Sequence, residues 1–169
     1  KRYLSPSLSH LSDPRLMPHA EQAAWHISQA YERHSRVGIF GDFDVDGLTG
    51  TAILVRALQD HGIETVTYIP HRVKEGHGLS TKAVDMLNEH GADLIVTVDT
   101  GTTAVNEVAY ASDRGIRTVI TDHHLAGAQL PDAAAIVNPQ ANGAPDDARD
   151  LSGAGVAFKL AQLLYEHSE

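Results

Sequence analysis

The sequence contains no cysteine in 169 residues. That absence excludes disulfides, thiolate nucleophiles and zinc–thiolate centres together, and it makes the cytoplasm the default location. No apolar run approaches the length of a membrane span, and no basic-then-apolar leader opens the chain, so no membrane association is expected. Positive charge is also scarce. Thirteen Lys and Arg stand against 22 Asp and Glu, a formal net charge of −9, which argues against a surface built to coat nucleic acid. Internal repeats and low-complexity tracts are missing too. What remains is a chain with 42% hydrophobic residues, of a length that suits one domain with a real core. Eleven His are many for this length and invite a search for ligands.

The most distinctive stretch is Arg36-Val37-Gly38-Ile39-Phe40-Gly41-Asp42-Phe43-Asp44-Val45-Asp46-Gly47. A short apolar run reads as a buried strand and ends in carboxylates at alternate positions. In an extended segment Asp42, Asp44 and Asp46 would crowd one face. Like charges that close repel and raise each other's pKa unless a cation lies among them. The pattern predicts a hard-metal site at the end of a strand.

Residues Lys1 to Met17 show no sustained period and read as an extended lead-in packed over the domain. Pro18 opens a helix through about His34. Strands are expected at Arg36–Gly41, Glu64–Ile69, Asp93–Val98, Arg117–Thr121 and Ala134–Val137. Helices are expected at about Leu48–His61, from the cap Ser80 to Gly91, and at Thr103–Arg114. A polar linker over 140–150 precedes a last helix at about 155–167. That helix is apolar nearly all round, so it should be buried or dock on something beyond the chain. Alternation of near-continuous apolar strands with helices predicts an α/β fold: a parallel five-stranded sheet, order 2-1-3-4-5, with helices on both faces.

Ligands of such sheets bind outside the carboxyl ends of the strands. There strand one carries Asp42, Asp44 and Asp46, strand three carries Asp99, and strand four carries Asp122-His123-His124. In the predicted order these three strands are neighbours. Oxygen ligands with one or two imidazoles and no sulfur suit Mn²⁺ or Mg²⁺. So many carboxylates point to two ions about 3.5–4 Å apart, which activate a water for attack on phosphorus. Asp99, alone on the middle strand, is the natural bridging ligand. His123 and His124 are adjacent and should diverge, one binding metal and the other facing the substrate as donor or general acid. Asp122 either orients a His or makes the turn.

Other readings compete. Asp42 to Gly47 matches half of an EF-hand loop, but the twelfth position is Ile53 rather than Glu. An aspartyl-phosphate phosphatase would want a later acidic pair, and Asp146-Asp147 lies only in the polar linker. Asp46-Gly47 could be a turn and helix cap. His71, Arg72 and His77 lie in a glycine-containing basic loop; Arg72 could fork onto a phosphate, or the loop could be a plain solvated connection. The free N–H groups at Leu151-Ser152-Gly153-Ala154-Gly155 could hold an anion, and close helix packing explains those small residues equally well.

With those residues in place, the sequence resembles the DHH phosphoesterase superfamily, and within it the RecJ-like single-stranded-DNA-specific exonucleases. The matching segments are Gly41 to Gly50, Ile69 to Arg72, Glu75 to Leu79, Thr97 to Gly101 and Thr121 to His124. Ile136 to Pro139, Ser152 to Phe158 and the lead-in from Tyr3 to Leu8 extend the match. The resemblance implies 5′→3′ hydrolysis of single-stranded DNA with Mn²⁺ or Mg²⁺. It implies Asp44, Asp46, Asp99 and His123 as metal ligands, Asp42 as ligand or support, and His124 acting on the scissile phosphate or assisting the metal. It also implies a further metal-binding Asp and DNA-gripping domains beyond this chain, so residues 1–169 are expected to form one catalytic domain with weak or incomplete activity alone. Alternatives are a DHH hydrolase of short oligonucleotides, 3′-phosphoadenosine phosphate or cyclic dinucleotides, and a non-catalytic DHH scaffold in replication.

Overall fold

A computed structural model describes residues 4, 5, 7, 10–140, 144 and 146–166. Five strands, β1 (Arg36–Gly41), β2 (Thr65–Tyr68), β3 (Ala92–Val98), β4 (Arg117–Thr121) and β5 (Ala135–Val137), form one sheet in the order β2-β1-β3-β4-β5. Every pairing is parallel. The expected fold class and strand order are therefore observed. The helices are α1 (Ala20–Glu32), α2 (Val45–Asp60), α3 (Thr81–Glu89), α4 (Val105–Ser112) and α5 (Gly153–Glu166).

Strand periodicity distributes these helices over two faces. On one face Val37, Ile39, Leu94, Val96, Val98, Val119 and Val137 pack with α1, α2 and α5. On the other, Phe40, Ile95 and Ile120 pack with α3 and α4. Both faces are covered, so the strands are apolar almost throughout, as a parallel sheet requires. Helix α5 is seated against α2 and β3 through Gly50, where a Cβ would fall 2.7 Å from Val98 Cγ1 and 3.3 Å from Ala154 Cα. Its apolar residues Val156, Ala157, Leu160, Leu163 and Leu164 are buried within the domain.

Most boundaries shift by a residue or two, and the helix starts and the lead-in differ for local reasons. Helix α1 begins at Ala20, not Pro18, because His19 takes a left-handed conformation at φ 58°. The lead-in contains a 3₁₀ turn, Pro14–Leu16, capped by Asp13. It packs on α5, where Arg15 pairs with Glu166 at 2.7 Å and Lys159 donates to Ser12 O. Helix α2 begins at Val45, three residues early, since the Asp44 side chain accepts from Gly47 N at 2.9 Å and caps it. The expectation that Asp42, Asp44 and Asp46 share one face of an extended segment is thereby corrected: Asp46 stands in the first turn of a helix. Tyr3, Pro6 and Leu8 of the lead-in, much of the linker and the end of the last helix at His167 lie outside the described residues. Among the described residues no helix is long and apolar enough to cross a membrane.

Candidate metal centre

The carboxyl ends of β1, β3 and β4 meet at one crevice. Asp42, just past β1, is buried; its backbone N–H donates to Val98 O, and its Oδ1 accepts from Phe43 N at 2.7 Å. Gly47 is needed beside it, because any Cβ there would stand 2.5 Å from Asp42 O. Asp44 is exposed at the cap of α2. Asp46 turns toward α5 and accepts from Gly153 N at 2.7 Å and Ala154 N at 2.8 Å. Burial works against its charge, but these two donors, with the Ser152 hydroxyl and the nearby His123, outweigh burial and hold its pKa below the ordinary carboxylate value. The anion for the N-terminus of α5 is thus supplied by the chain itself, and the small residues there also satisfy close packing. A Cβ on Gly153 would lie 2.4 Å from Asp99 Oδ1.

Asp99 occupies the tight turn after β3 at φ 61°, a left-handed conformation that Asp tolerates better than most residues. Its N–H donates to Thr121 O, which ties the turn to β4. The side chain is only 2% exposed. Its Oδ1 forms no hydrogen bond, although His123 Nε2 lies 3.1 Å away. Burial, then the charges of Asp46 and Asp44, push this carboxyl up to about 7.

Asp122 makes the turn after β4. Its Oδ1 accepts from His123 N, His124 N and His124 Nδ1, and its Oδ2 from Thr102 N at 2.9 Å. The two readings left open by its sequence position therefore coincide: it forms the turn and orients His124. Burial opposes its ionisation, but these hydrogen bonds prevail and keep its pKa low. With Nδ1 at 2.7 Å from Asp122, His124 keeps Nε2 as its free ring nitrogen. Burial lowers and Asp122 raises the His124 pKa, and the net shift is upward. Behind the turn, buried Asn138 donates to His124 O and to Thr102 Oγ1. Sequence reasoning placed Asn138 at the end of a strand and within the matching segment Ile136 to Pro139 but gave it no role; its local signal was a polar residue set between a buried strand and a proline.

Two trios of potential ligands share one member. Asp42, Asp44 and Asp99 bring ligand atoms within 4.8 Å of one another, and Asp99, His123 and His124 do the same. Asp46 adjoins the second trio through His123 Nε2, 3.6 Å from its Oδ2. Of the loop residues, His77 reaches the cluster, with Nδ1 3.5 Å from Asp42 Oδ2. Arg72 lies over the Phe43 ring at 5.4 Å. His71 is turned to its own loop, where its Nδ1 accepts from Val73 N, and among the described residues no hydrogen bond joins its ring to Asp42, Asp44, Asp46 or Asp99. A donor set of oxygen and imidazole nitrogen fits hard divalent cations. The buried Asp99 Oδ1 is the strongest sign of fit: it accepts no hydrogen bond and has only the His123 ring beside it, a costly place for a carboxylate oxygen unless a cation meets it.

The family model for the DHH family, N-terminal domain, matches residues 36–169. Over 152 residues the chain is 43% identical to the single-stranded-DNA-specific exonuclease RecJ of Bacillus subtilis (strain 168), covering 90% of this chain and 19% of that protein. A crystal structure of exonuclease RecJ bound to manganese superposes with a TM-score of 0.81 at 37% identity, over 90% of this chain and 38% of the other. RecJ from Thermus thermophilus in complex with Mn²⁺ gives 0.78 at 33% identity, over 98% and 23%. The same Thermus protein is also known in complex with Mg²⁺. The chain thus spans about a fifth of the curated relative's length and less than two fifths of either solved one.

Proposed function

The chain belongs to the DHH family, and from that membership and the cluster at its strand ends we propose that it is the metal-binding part of a phosphodiesterase. Its substrate is single-stranded DNA, degraded in the 5′→3′ direction. The observation that carries this reading is Asp99: a buried carboxylate whose Oδ1 accepts no hydrogen bond, common to two ligand trios. Asp42, Asp44, Asp46, Asp99 and His123 would hold two ions, Mn²⁺ or Mg²⁺. When bound, these ions supply Lewis acidity that neutralises the phosphate and lowers the pKa of the attacking water.

The chain's own groups do the rest. Asp99 bridges the two halves of the centre from the rigid end of β3. Asp46 is fixed by the α5 N–H groups, so its lone pairs keep a constant direction. Asp122 holds the proton on His124 Nδ1 and favours the charged ring. Nε2–H of His124 is then the donor to the scissile phosphate or to the leaving 3′-oxygen. Arg72 and His77 approach from the loop after β2 to take the substrate's terminal phosphate.

Calorimetric titration with Mn²⁺ tests the centre. The wild type should bind, and Asp99→Asn should lose most of the affinity while keeping the left-handed turn that Asn tolerates. No binding by the wild type, or unchanged binding by the variant, overturns the reading. Single-stranded oligonucleotides labelled at one end or the other then report the polarity: mononucleotides released first from the 5′ label support it, and release from the 3′ label contradicts it.

A further inference from the structure

Phe43 stands between two candidate ligands and its side chain bonds to neither, yet three observations converge on this residue. The His77 ring lies against its ring with centroids 4.5 Å apart. The Arg72 guanidinium sits over it at 5.4 Å. Its backbone is fixed by the hydrogen bond from Phe43 N to Asp42 Oδ1. The loop after β2 therefore rests on an aromatic side chain that is covalently part of the carboxylate motif.

The far side of that loop is pinned by Glu75. Its Oε1 accepts from Tyr68 OH and from Lys82 Nζ, and its Oε2 accepts from the backbone N–H of His71 at 2.8 Å. Tyr68 is itself stacked on the buried Phe40 of β1. Between the two anchors, Gly76 and Gly78 take φ of 75° and 86°, which brings the chain round with His77 at its tip. A Cβ on Gly76 would meet open space, and one on Gly78 would meet only Thr100 Oγ1, at 3.9 Å. The turn closes on itself where Lys74 N and Glu75 N both donate to His71 O, and Phe43, Glu75 and the contact of His77 Nδ1 with Asp42 Oδ2 tie it to its surroundings. Among the described residues no carboxylate pairs with Arg72. A guanidinium stacked on a ring keeps its in-plane N–H donors available for an anion.

We infer that Phe43 and Glu75 are positioning residues: a ring platform and a carboxylate pin that hold Arg72 and His77 over the centre, so that the terminal phosphate of a nucleotide meets a preformed site. This rests on the proposed function above and adds the two residues that order its phosphate-binding loop. Holding the loop in place before binding removes the affinity lost when only a fraction of molecules is competent. Aromatic character at 43 is then required for reasons separate from metal binding, and Glu75 acts at the opposite end of the same loop.

The test titrates thymidine 5′-monophosphate into the Mn²⁺-loaded protein and, in parallel, Mn²⁺ into the metal-free protein. Phe43→Leu and Glu75→Ala should each weaken nucleotide binding by about fivefold or more, with Mn²⁺ affinity unchanged. Phe43→Tyr, which keeps the ring, should restore the nucleotide affinity. Limited trypsin digestion gives a second readout, since the bonds after Arg72 and Lys74 should be cut faster in Phe43→Leu and Glu75→Ala than in wild type or Phe43→Tyr. If Arg72→Ala weakens nucleotide binding while Phe43→Leu and Glu75→Ala leave it and the cleavage rate unchanged, the inference fails and the functional reading stands. If the wild type binds Mn²⁺ but no nucleotide, the phosphate-binding role of the loop fails, and the inference with it.

Discussion

At the scale of single residues, the centre contains carboxylates of opposite temper. Asp99 is buried beside other carboxylates and titrates near 7, well above the ordinary value of 3.8. A folded-state pKa above the unfolded one means that the native protein binds more protons between those two values. Without metal, stability contributed by protonated Asp99 is present at low pH and falls as pH rises from about 4 to about 7. In EDTA at pH 8, Asp99→Asn should therefore be more stable than wild type, by something on the order of 2 kcal/mol. At pH 4 the difference should vanish. Urea unfolding at the two pH values reads this directly, and a variant less stable than wild type at pH 8 contradicts it. Stability gained by losing a ligand is expected where a buried charge is kept for chemistry rather than for the fold.

At the scale of elements, Asp46 behaves in the opposite sense, because it belongs to two helices. It stands in the first turn of α2 and closes the first N–H groups of α5, more than a hundred residues later. Replacement by Asn removes the charge from a helix N-terminus and should cost about 1 kcal/mol even in metal-free protein. Urea unfolding in EDTA, where Asp99→Asn gains and Asp46→Asn loses, separates the two roles. Its lowered pKa places that contribution above the ordinary carboxylate range, with loss as pH falls below about 4. None of this pairing is periodic, so it was not legible in the sequence. The strands were, since apolar runs bounded by glycine and helix caps are local signals, and their order put Asp42, Asp99 and His123 at neighbouring ends. The sequence also showed a small-residue run at Ser152 to Gly155 with two meanings, anion site or close packing. Only the fold reveals that both hold and that the anion is Asp46. Asp122 was legible as a turn residue or a His partner but not as both at once, while the roles of Asn138 and Phe43 escaped, because their partners are set by three-dimensional neighbours rather than by spacing.

For the molecule as a whole, the centre joins the ends of β1, β3 and β4 and, through Asp44 and Asp46, the start of α2 and the seat of α5. Both faces of the sheet are already packed by apolar side chains. The molecule's least compensated region is nonetheless this junction, where several carboxylates of a chain with net charge −9 gather without a basic partner of equal strength. A ligand that binds only the native state stabilises it by mass action. At a hundredfold excess over the dissociation constant that amounts to about 2.7 kcal/mol, or a rise in Tm of roughly 5–10 °C for a domain of this size. Mn²⁺ should produce that rise in the wild type and almost none in Asp99→Asn. The same ionic strength of sodium chloride separates site binding from general screening, which would act on both proteins alike. Equal shifts with either salt, or an undiminished Mn²⁺ shift in Asp99→Asn, would mean that the ion meets the acidic surface at large and that the shared carboxylate of β3 is not its seat.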